Sequence, residues 1–197
     1  LITINNPPTL TTFIDRFLVT ARAYSIEVIL VFNKIDTYQL EQQSEILYLK
    51  DIYEPIGYTC VEVSAKENTN IEVIKNLMKQ KTSMFSGHSG VGKTTLLNAI
   101  EPGLNLKTKQ ISDQHQQGQH TTTFAEMFDL SFDAKIIDTP GIKGFGVVAI
   151  EKEELGDYFT EFFALKSGCK FHNCIHVNEP QCAVKDALED EKISWSR

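Results

Sequence analysis

The chain reads Gly87-His88-Ser89-Gly90-Val91-Gly92-Lys93-Thr94 between the apolar run 83–85 and a helical pattern over 94–100. This spacing is typical of a phosphate-binding loop, in which the glycines let successive N–H groups point at phosphates. The helix that follows adds the partial positive charge of its N-terminus. We predict that Lys93 reaches the β- and γ-phosphate oxygens and that the Thr94 hydroxyl ligates Mg²⁺. A Gly-rich turn without a ligand is the alternative.

A second motif, Asn33-Lys34-Ile35-Asp36, follows the apolar, β-branched run 27–32, which is typical of a buried parallel strand. The Asp36 carboxylate can accept hydrogen bonds from the N1–H and the exocyclic amine of guanine. Adenine has an acceptor at N1 and no amine there, so it would leave Asp36 unpaired. We expect Lys34 to lie along the base and Asn33 to tie this loop to the phosphate loop. A strand that simply ends in polar residues is the alternative.

Ser64-Ala65-Lys66 follows another strand-like run, 58–63, and is predicted to lie against the guanine carbonyl. Both guanine-side motifs come before the phosphate loop, whereas an ordinary GTPase has them after it. The order therefore indicates a circularly permuted GTPase.

Two later segments are predicted to be switch elements. In Asp138-Thr139-Pro140-Gly141, Asp138 fits the carboxylate that holds Mg²⁺ through water, and the Gly141 amide fits a sensor of the γ-phosphate. In His120-Thr121-Thr122-Thr123, Thr122 is our candidate for completing the Mg²⁺ shell. A simple Pro-Gly turn and a Thr-rich strand start are the respective alternatives.

The residue after Gly141 is Ile142, which has no hydrogen-bonding side chain. Ras-type GTPases have a Gln there that orients the attacking water, so we expect slow intrinsic hydrolysis. We hypothesise that His120 positions the water instead; a solvated loop histidine is the alternative.

Near the end of the chain, Cys169, Cys174, His176 and Cys182 supply three thiols and an imidazole. These donors suit a closed, structural Zn²⁺ site, and clustered cysteines beside a histidine favour a metal over disulfides. His172 is a rival ligand on spacing alone, and buried free cysteines are the alternative. Cys60, in an apolar strand, is predicted to lie in the core.

Apolar strands alternating with helical patterns predict an α/β, Ras-like fold around a parallel sheet. Thr9 is predicted to cap the first helix, and an acidic helix is expected over 151–165. Strands are predicted at 1–4, 27–32, 58–63, 83–85, 124–130 and 134–137, and further helices at 40–53, 71–78 and 94–100. We place a boundary near Val148, with the GTPase domain over 1–148 and a small helical zinc-binding domain over 149–197.

The 197-residue chain has a formal net charge of −7 and a pI near 5.3, which gives no reason to expect nucleic-acid binding. We expect no DNA binding, and any RNA contact would need a local patch or a missing piece of the protein. It has no apolar run long enough for a membrane span and no signal-peptide pattern, so we expect a cytoplasmic protein. Leu1 begins directly in a strand-like segment, and we expect residues upstream of it to have been lost.

Taken together, these motifs resemble the RsgA (YjeQ) family of circularly permuted, ribosome-associated GTPases. The likeness also covers Asp15-Arg16-Phe17-Leu18, Gly118 to Thr123 and Glu179 to Val184. It implies an OB-fold ahead of the GTPase domain and a C-terminal region running past Arg197, both expected to be missing here. It also favours His176 over His172 as the metal ligand.

By this likeness the protein binds GTP, GDP and Mg²⁺, contacts ribosomal RNA as a monomer, and acts late in maturation of the small ribosomal subunit. The predicted GTP-binding residues are Asn33, Lys34, Ile35, Asp36, Ser64, Ala65, Lys66, Gly87, His88, Ser89, Gly90, Val91, Gly92, Lys93, Thr94, Thr95 and Gly141. Lys93, Thr94 and, as a hypothesis, His120 are the catalytic residues. Two alternatives stay open: a nucleotide-gated RNA or protein scaffold with little turnover, and an ATPase of another class.

Overall fold

The computed structural model describes residues 1–104, 126–138 and 150–197. These residues divide into two compact units that interleave along the chain. The first unit contains residues 1–8, 31–43, 61–104 and 126–138, and the second contains 9–30, 44–60 and 150–197. The domain boundary expected near Val148 lies outside the described residues and stays a prediction.

The first sheet pairs β1 (Ile29–Phe32) with β2 (Thr59–Glu62). The strand predicted at 1–4 is reduced to one parallel bridge between Ile2 and Phe32. Ile2 donates to the Val31 carbonyl at 2.8 Å and accepts from the Asn33 N–H at 2.9 Å. The strand is short because the chain turns immediately afterwards, and the Thr3 hydroxyl donates to the Pro7 carbonyl at 2.5 Å.

The second sheet has the order β3 (Thr82–Met84), β5 (Ala134–Asp138), β4 (Glu126–Leu130). β3 runs parallel to β5, with Ser83 opposite Ile136. β4 and β5 form the predicted antiparallel hairpin, in which Leu130 lies opposite Ala134 across the turn at 131–133. Phe124, where the first hairpin strand was predicted to begin, is outside the described residues.

The described residues contain six α-helices, and those predicted over 40–53, 71–78 and 94–100 begin and end within one residue of the predicted positions. Their bounds are α1 Thr11–Ala23, α2 Leu40–Tyr53, α3 Ile71–Met78, α4 Lys93–Ile100, α5 Thr160–Leu165 and α6 Ala183–Glu189. The predicted cap at Thr9 is wrong: Leu10 is the N-cap of α1, without a side-chain capping bond. The helix starts there because the Leu10 carbonyl accepts the N–H groups of Phe13 and Ile14.

The acidic helix predicted over 151–165 is also wrong as a continuous element. A 3₁₀ helix spans Leu155–Tyr158, and α5 begins only at Thr160. Phe159 between them is extended, with φ −91° and ψ 116°. An extended residue cannot continue the hydrogen-bond pattern of a helix, so Phe159 divides the predicted element in two. Its ring stacks on Phe162 at 4.9 Å between centroids. None of the helices in the described part of the chain has the length and apolar character needed to cross a lipid bilayer.

Candidate nucleotide-binding site and metal centre

The predicted phosphate loop joins β3 to α4 in the first unit, and Gly92 is the N-cap of α4. Gly92 has a φ of +94°, and a Cβ added there would lie only 2.4 Å from Asn33 Nδ2. Both the left-handed backbone and the close approach require glycine. The loop is therefore packed directly against the predicted guanine motif.

Lys93 is the first residue of α4 and turns its ammonium back into the loop. Its Nζ donates to the Gly87 carbonyl and, at 2.8 Å, to the His88 carbonyl. Partial burial lowers the pKa of Lys93 below its ordinary value. The loop thus holds a partly desolvated cation, which suits it to receive phosphate oxygens.

Asn33 joins three of the predicted loops through one buried side chain, which is only 1% exposed. Its Nδ2 donates to the Val91 carbonyl at 2.9 Å, and its Oδ1 accepts the Ala65 N–H at 3.2 Å. A buried amide with both ends bonded fixes the loops that it joins. The structure thus brings the guanine motif, its companion loop and the phosphate loop together.

Asp36 is exposed at the mouth of these loops, and Ser64 orients its carboxylate. The Ser64 hydroxyl donates to Asp36 Oδ1 at 2.5 Å and accepts the Glu67 N–H at 3.0 Å. Lys34 has a φ of 69°, and its Nζ donates to the Asn6 carbonyl at 2.5 Å. The exposed Lys66 pairs with Glu67 at 3.4 Å.

Tyr38, a buried residue that no sequence motif marked, holds the backbone of Asn33 through a hydrogen bond. Its hydroxyl donates to the Asn33 carbonyl at 2.7 Å and accepts the Ile4 N–H at 3.0 Å. A tyrosine two residues past the guanine motif has no periodicity that marks it as buried. Only the folded chain shows that its hydroxyl satisfies two backbone groups.

Of the other predicted site residues, some are among the described residues and some are not. Thr94 is half-buried and Thr95 exposed in the first turn of α4, and Asp138 ends β5 opposite Glu126. His120, Thr122, Gly141 and Ile142 lie outside the described residues.

The predicted metal ligands converge in the second unit. The ligand atoms of Cys169, Cys174, His176 and Cys182 all lie within 4.8 Å of one another. His176 Nδ1 is 3.3 Å from Cys182 Sγ and 3.7 Å from Cys169 Sγ. His172 is exposed and is not in this group. Three sulfurs and one imidazole nitrogen facing a common point fit the soft, tetrahedral donor set of Zn²⁺.

Burial changes the pKa values of two of these residues, Cys174 and His176. It raises the pKa of Cys174 to about 11, disfavouring the thiolate, and lowers the pKa of His176, favouring the neutral imidazole that binds metals. The packed core around the ligands includes Val184, Ala187 and Ile193, with Phe162 and Leu165 against it. A bound cation would offset the cost of ionising thiols in this apolar setting.

Glu179 organises the loop that carries the ligands, a role the sequence alone did not reveal. Its carboxylate accepts the backbone N–H groups of Ile175, Val177 and Asn178, each at 3.0 Å. These bonds, the one from Ile175 most of all, lower the pKa of Glu179 to about 2. An ionised carboxylate thus fixes the backbone on both sides of His176.

The sequence pattern of the RsgA GTPase family matches residues 1–148. The chain belongs to this family. A relative from Christiangramia forsetii is 65% identical over 197 residues, which are 100% of this chain and 62% of the relative. A Flavobacterium psychrophilum relative is 68% identical over 197 residues, again 100% of this chain and 60% of the relative. Both are named small ribosomal subunit biogenesis GTPase RsgA, and the chain spans about three fifths of their length.

Solved structures of similar proteins agree with the family. YjeQ from Thermotoga maritima is 40% identical with a TM-score of 0.87, over 100% of this chain and 65% of that one. YloQ, described as a circularly permuted GTPase, is 32% identical with a TM-score of 0.78, over 98% and 61%. The predicted permuted GTPase fold is therefore confirmed, with the guanine motif ahead of the phosphate loop.

Proposed function

We propose that this chain binds guanine nucleotides in its first unit and hydrolyses GTP. The observation that carries the proposal is the side chain of Asn33, which bonds the guanine-side loops to the phosphate loop at Val91. Groups suited to a purine and groups suited to its phosphates are thereby held in one place, despite the permuted chain order.

The roles follow from the contacts. Asp36, oriented by Ser64, would pair with the N1–H and amine of guanine, and Lys34 would lie along the ring. Phosphate oxygens would take the place of the carbonyls that now accept from Lys93. The remaining predicted GTP-binding residues line the same loops: Asn33, Ile35, Ala65, Lys66, Gly87, His88, Ser89, Gly90, Val91, Gly92, Thr94 and Thr95. Gly141 is proposed from its sequence alone.

Hydrolysis needs an attacking water and a stabilised phosphate charge. Lys93 supplies a cation at the β–γ bridge, and the N–H groups at the start of α4 supply partial positive charge. Thr94, Thr122 and Asp138 would hold Mg²⁺, which neutralises developing negative charge on the phosphates when bound. We propose His120 as the group that positions water. With Ile142 where a water-orienting side chain is usual, turnover alone is expected at about 10⁻⁴ to 10⁻² s⁻¹.

We further propose that the activity serves maturation of the small ribosomal subunit, in the cytoplasm and as a monomer. The support is the name shared by the relatives from Christiangramia forsetii and Flavobacterium psychrophilum. By that role the partners are the small subunit and its ribosomal RNA, with no part for DNA or a membrane.

We propose a structural Zn²⁺ held by Cys169, Cys174, His176 and Cys182, in a C-terminal domain over 149–197 that follows the GTPase domain over 1–148. The support is the convergence of the ligand atoms and the match of the family pattern to residues 1–148. The ligand set is complete with protein donors, so the ion's task is to stabilise the fold.

Nucleotide choice is tested by displacing fluorescent N-methylanthraniloyl-GDP (mant-GDP) with GTP, GDP or ATP. Guanine nucleotides should compete and ATP should not; competition by ATP at equal concentration would contradict guanine selectivity. Phosphate release from GTP is then measured with and without small ribosomal subunits. The phosphate-release measurement uses two proteins: this chain, and this chain joined to the additional residues of the Christiangramia forsetii relative. Faster release with subunits is the expected result.

A nucleotide-gated scaffold is the second candidate, favoured by the apolar Ile142 after Gly141. It predicts that subunits bind in a nucleotide-dependent manner while phosphate release stays at the intrinsic rate. Cosedimentation with the subunits, in the presence of a non-hydrolysable GTP analogue or GDP, separates the two functions.

A further inference from the structure

Residues 3–8 form a turn that bonds the guanine side of the proposed nucleotide site and lies next to its phosphate side. On the guanine side, the Asn6 carbonyl accepts from Lys34 Nζ at 2.5 Å. On the phosphate side, Pro7 Cδ lies 3.5 Å from the position that a Cβ on Gly90 would take. The roles proposed above use Lys34 and Gly90 but assign nothing to this turn.

The turn is anchored from within by a buried hydroxyl. Thr3 is fully buried, and its Oγ1 donates to the Pro7 carbonyl at 2.5 Å. The Ile4 N–H donates to the Tyr38 hydroxyl, which in turn donates to the Asn33 carbonyl. The same network that holds Asn33 therefore also fixes the turn.

The fixed position of the Asn6 carbonyl affects how freely the Lys34 side chain can move. Its ammonium sits on a flexible four-carbon stem, and ordering that stem on binding costs conformational entropy. A carbonyl already bonded to Nζ orders the stem before a ligand arrives, which favours binding.

We propose that the 3–8 turn is a third wall of the nucleotide site, in which the Asn6 carbonyl positions Lys34 along the guanine ring and the bond from Thr3 to the neighbouring Pro7 carbonyl fixes the turn that carries Asn6. Thr3 is thus a positioning residue that acts through Lys34. This inference rests on the proposed guanine-nucleotide function.

The test is Thr3→Val, which keeps the shape of the side chain and removes the hydroxyl. Release of mant-GDP, measured by stopped flow on the 197-residue chain, should become about fivefold faster, the loss of roughly one hydrogen bond. Thr3→Ser restores the hydroxyl and should release at close to the original rate. Equal release rates for the original chain and Thr3→Val would overturn the proposal.

Thr20→Val is a matched control. Thr20 is also buried, and its Oγ1 donates to the Arg16 carbonyl four residues before it, at 2.8 Å, on α1 in the second unit. It loses the same kind of bond in the unit that does not carry the proposed nucleotide site, so release should not change. An equal acceleration in Thr20→Val would mean that general destabilisation, not the turn, controls release.

A double-mutant cycle with Lys34→Met separates positioning from mere support of the fold. If Thr3 acts through Lys34, Thr3→Val should have little further effect once the ammonium is gone. Fully additive effects of the two substitutions would overturn the proposed route.

Hydrogen exchange on the original chain covers the case in which Thr3→Val does not fold. GDP should slow exchange at the Asn5 and Asn6 amides of the turn, and unchanged exchange would overturn the proposal. A chain that binds no mant-GDP at all would instead contradict the proposed function, so the two failures are distinguishable.

Discussion

The nucleotide loops and the cysteine cluster hold their functional groups in opposite ways. In the nucleotide loops, Asn33 bonds Val91 and Ala65, and Lys93 bonds two carbonyls of its own loop. In the cysteine cluster the four ligand atoms face one another, and burial raises the pKa of Cys174 to about 11. In the nucleotide loops, other groups of the chain supply the hydrogen-bond partners. In the cysteine cluster, burial disfavours the thiolate form, and a bound cation would make that form favourable.

The difference indicates how each site depends on its ligand. The described loops of the proposed nucleotide site are already bonded to one another, so a nucleotide is expected to add affinity without having to order them. The C-terminal segment has a small apolar core, so metal binding is expected to supply much of its folding free energy, roughly 10–16 kcal/mol for structural Zn²⁺. Losing a metal ligand should therefore unfold its region, while losing a nucleotide contact should mainly weaken binding.

The largest effect is expected from Cys182→Ser. Losing one of four ligands should cost about 3–4 kcal/mol of Zn²⁺ binding, or several hundredfold in affinity. Competition with a chromophoric chelator measures the affinity, and circular dichroism follows thermal unfolding. Cys60→Ser is the control, because Cys60 is outside the cluster. Equal Zn²⁺ affinity for the two variants would show that Cys182 is not a ligand.

Gly92→Ala should weaken GDP binding by about a hundredfold, because left-handed strain adds to the displacement of Asn33 from its bond to Val91. Isothermal titration calorimetry measures the affinity. Gly57→Ala is the matched control: Gly57 has a similar φ of +99°, but an added Cβ there would meet nothing within 4 Å. If Gly92→Ala binds GDP as tightly as Gly57→Ala, neither the left-handed backbone at Gly92 nor its close approach to Asn33 is needed for nucleotide binding.

Asp36→Asn should lower GDP affinity by about thirtyfold, since a charged acceptor is lost and an amide would face the amine of guanine. Xanthine has an oxygen in place of that amine, so the variant should prefer XDP to GDP. The comparison is made by mant-GDP displacement, with the exposed Asp51→Asn on α2 as control. An unchanged preference for GDP would remove Asp36 from base recognition.

The smallest effect is expected from Glu179→Gln, which removes the charge that strengthens its bonds to three N–H groups. The change also replaces one of the two accepting oxygens with an NH₂ group, so the oxygen that remains can keep either the bond from Ile175 or the two bonds from Val177 and Asn178. Zn²⁺ affinity at pH 7 should fall a few-fold, with Glu189→Gln on α6 as control. The folded pKa of about 2 lies below the ordinary 4.5, so the stabilisation is complete above about pH 4.5 and is lost as pH falls toward 2. The difference in Zn²⁺ affinity between Glu179→Gln and the original chain should therefore be constant from pH 6.5 to 8. If that difference changes with pH in this range, a group other than Glu179 is responsible.

Sequence patterns predicted most elements because their signals are local. Helices over 40–53 and 71–78 and the hairpin around 131–133 follow from periodicity and turn residues. Two predicted boundaries were wrong. Leu10 rather than Thr9 is the N-cap of α1, and the extended backbone of Phe159 divides the predicted acidic helix. Spacing alone left His172 and His176 equal as ligands, and only the fold brings His176 to the three sulfurs.

The order of the motifs was enough to establish a permuted GTPase with a cysteine-rich C-terminal segment, because glycine loops and ligand residues have chemistry that depends on near neighbours in the chain. The folded chain alone decided which distant groups meet. The bonds of Tyr38 to Ile4 and of Lys34 to Asn6 join residues that are far apart in the chain and have no local signature. Buried polar groups must find partners wherever the backbone brings them, and that requirement is met only in three dimensions.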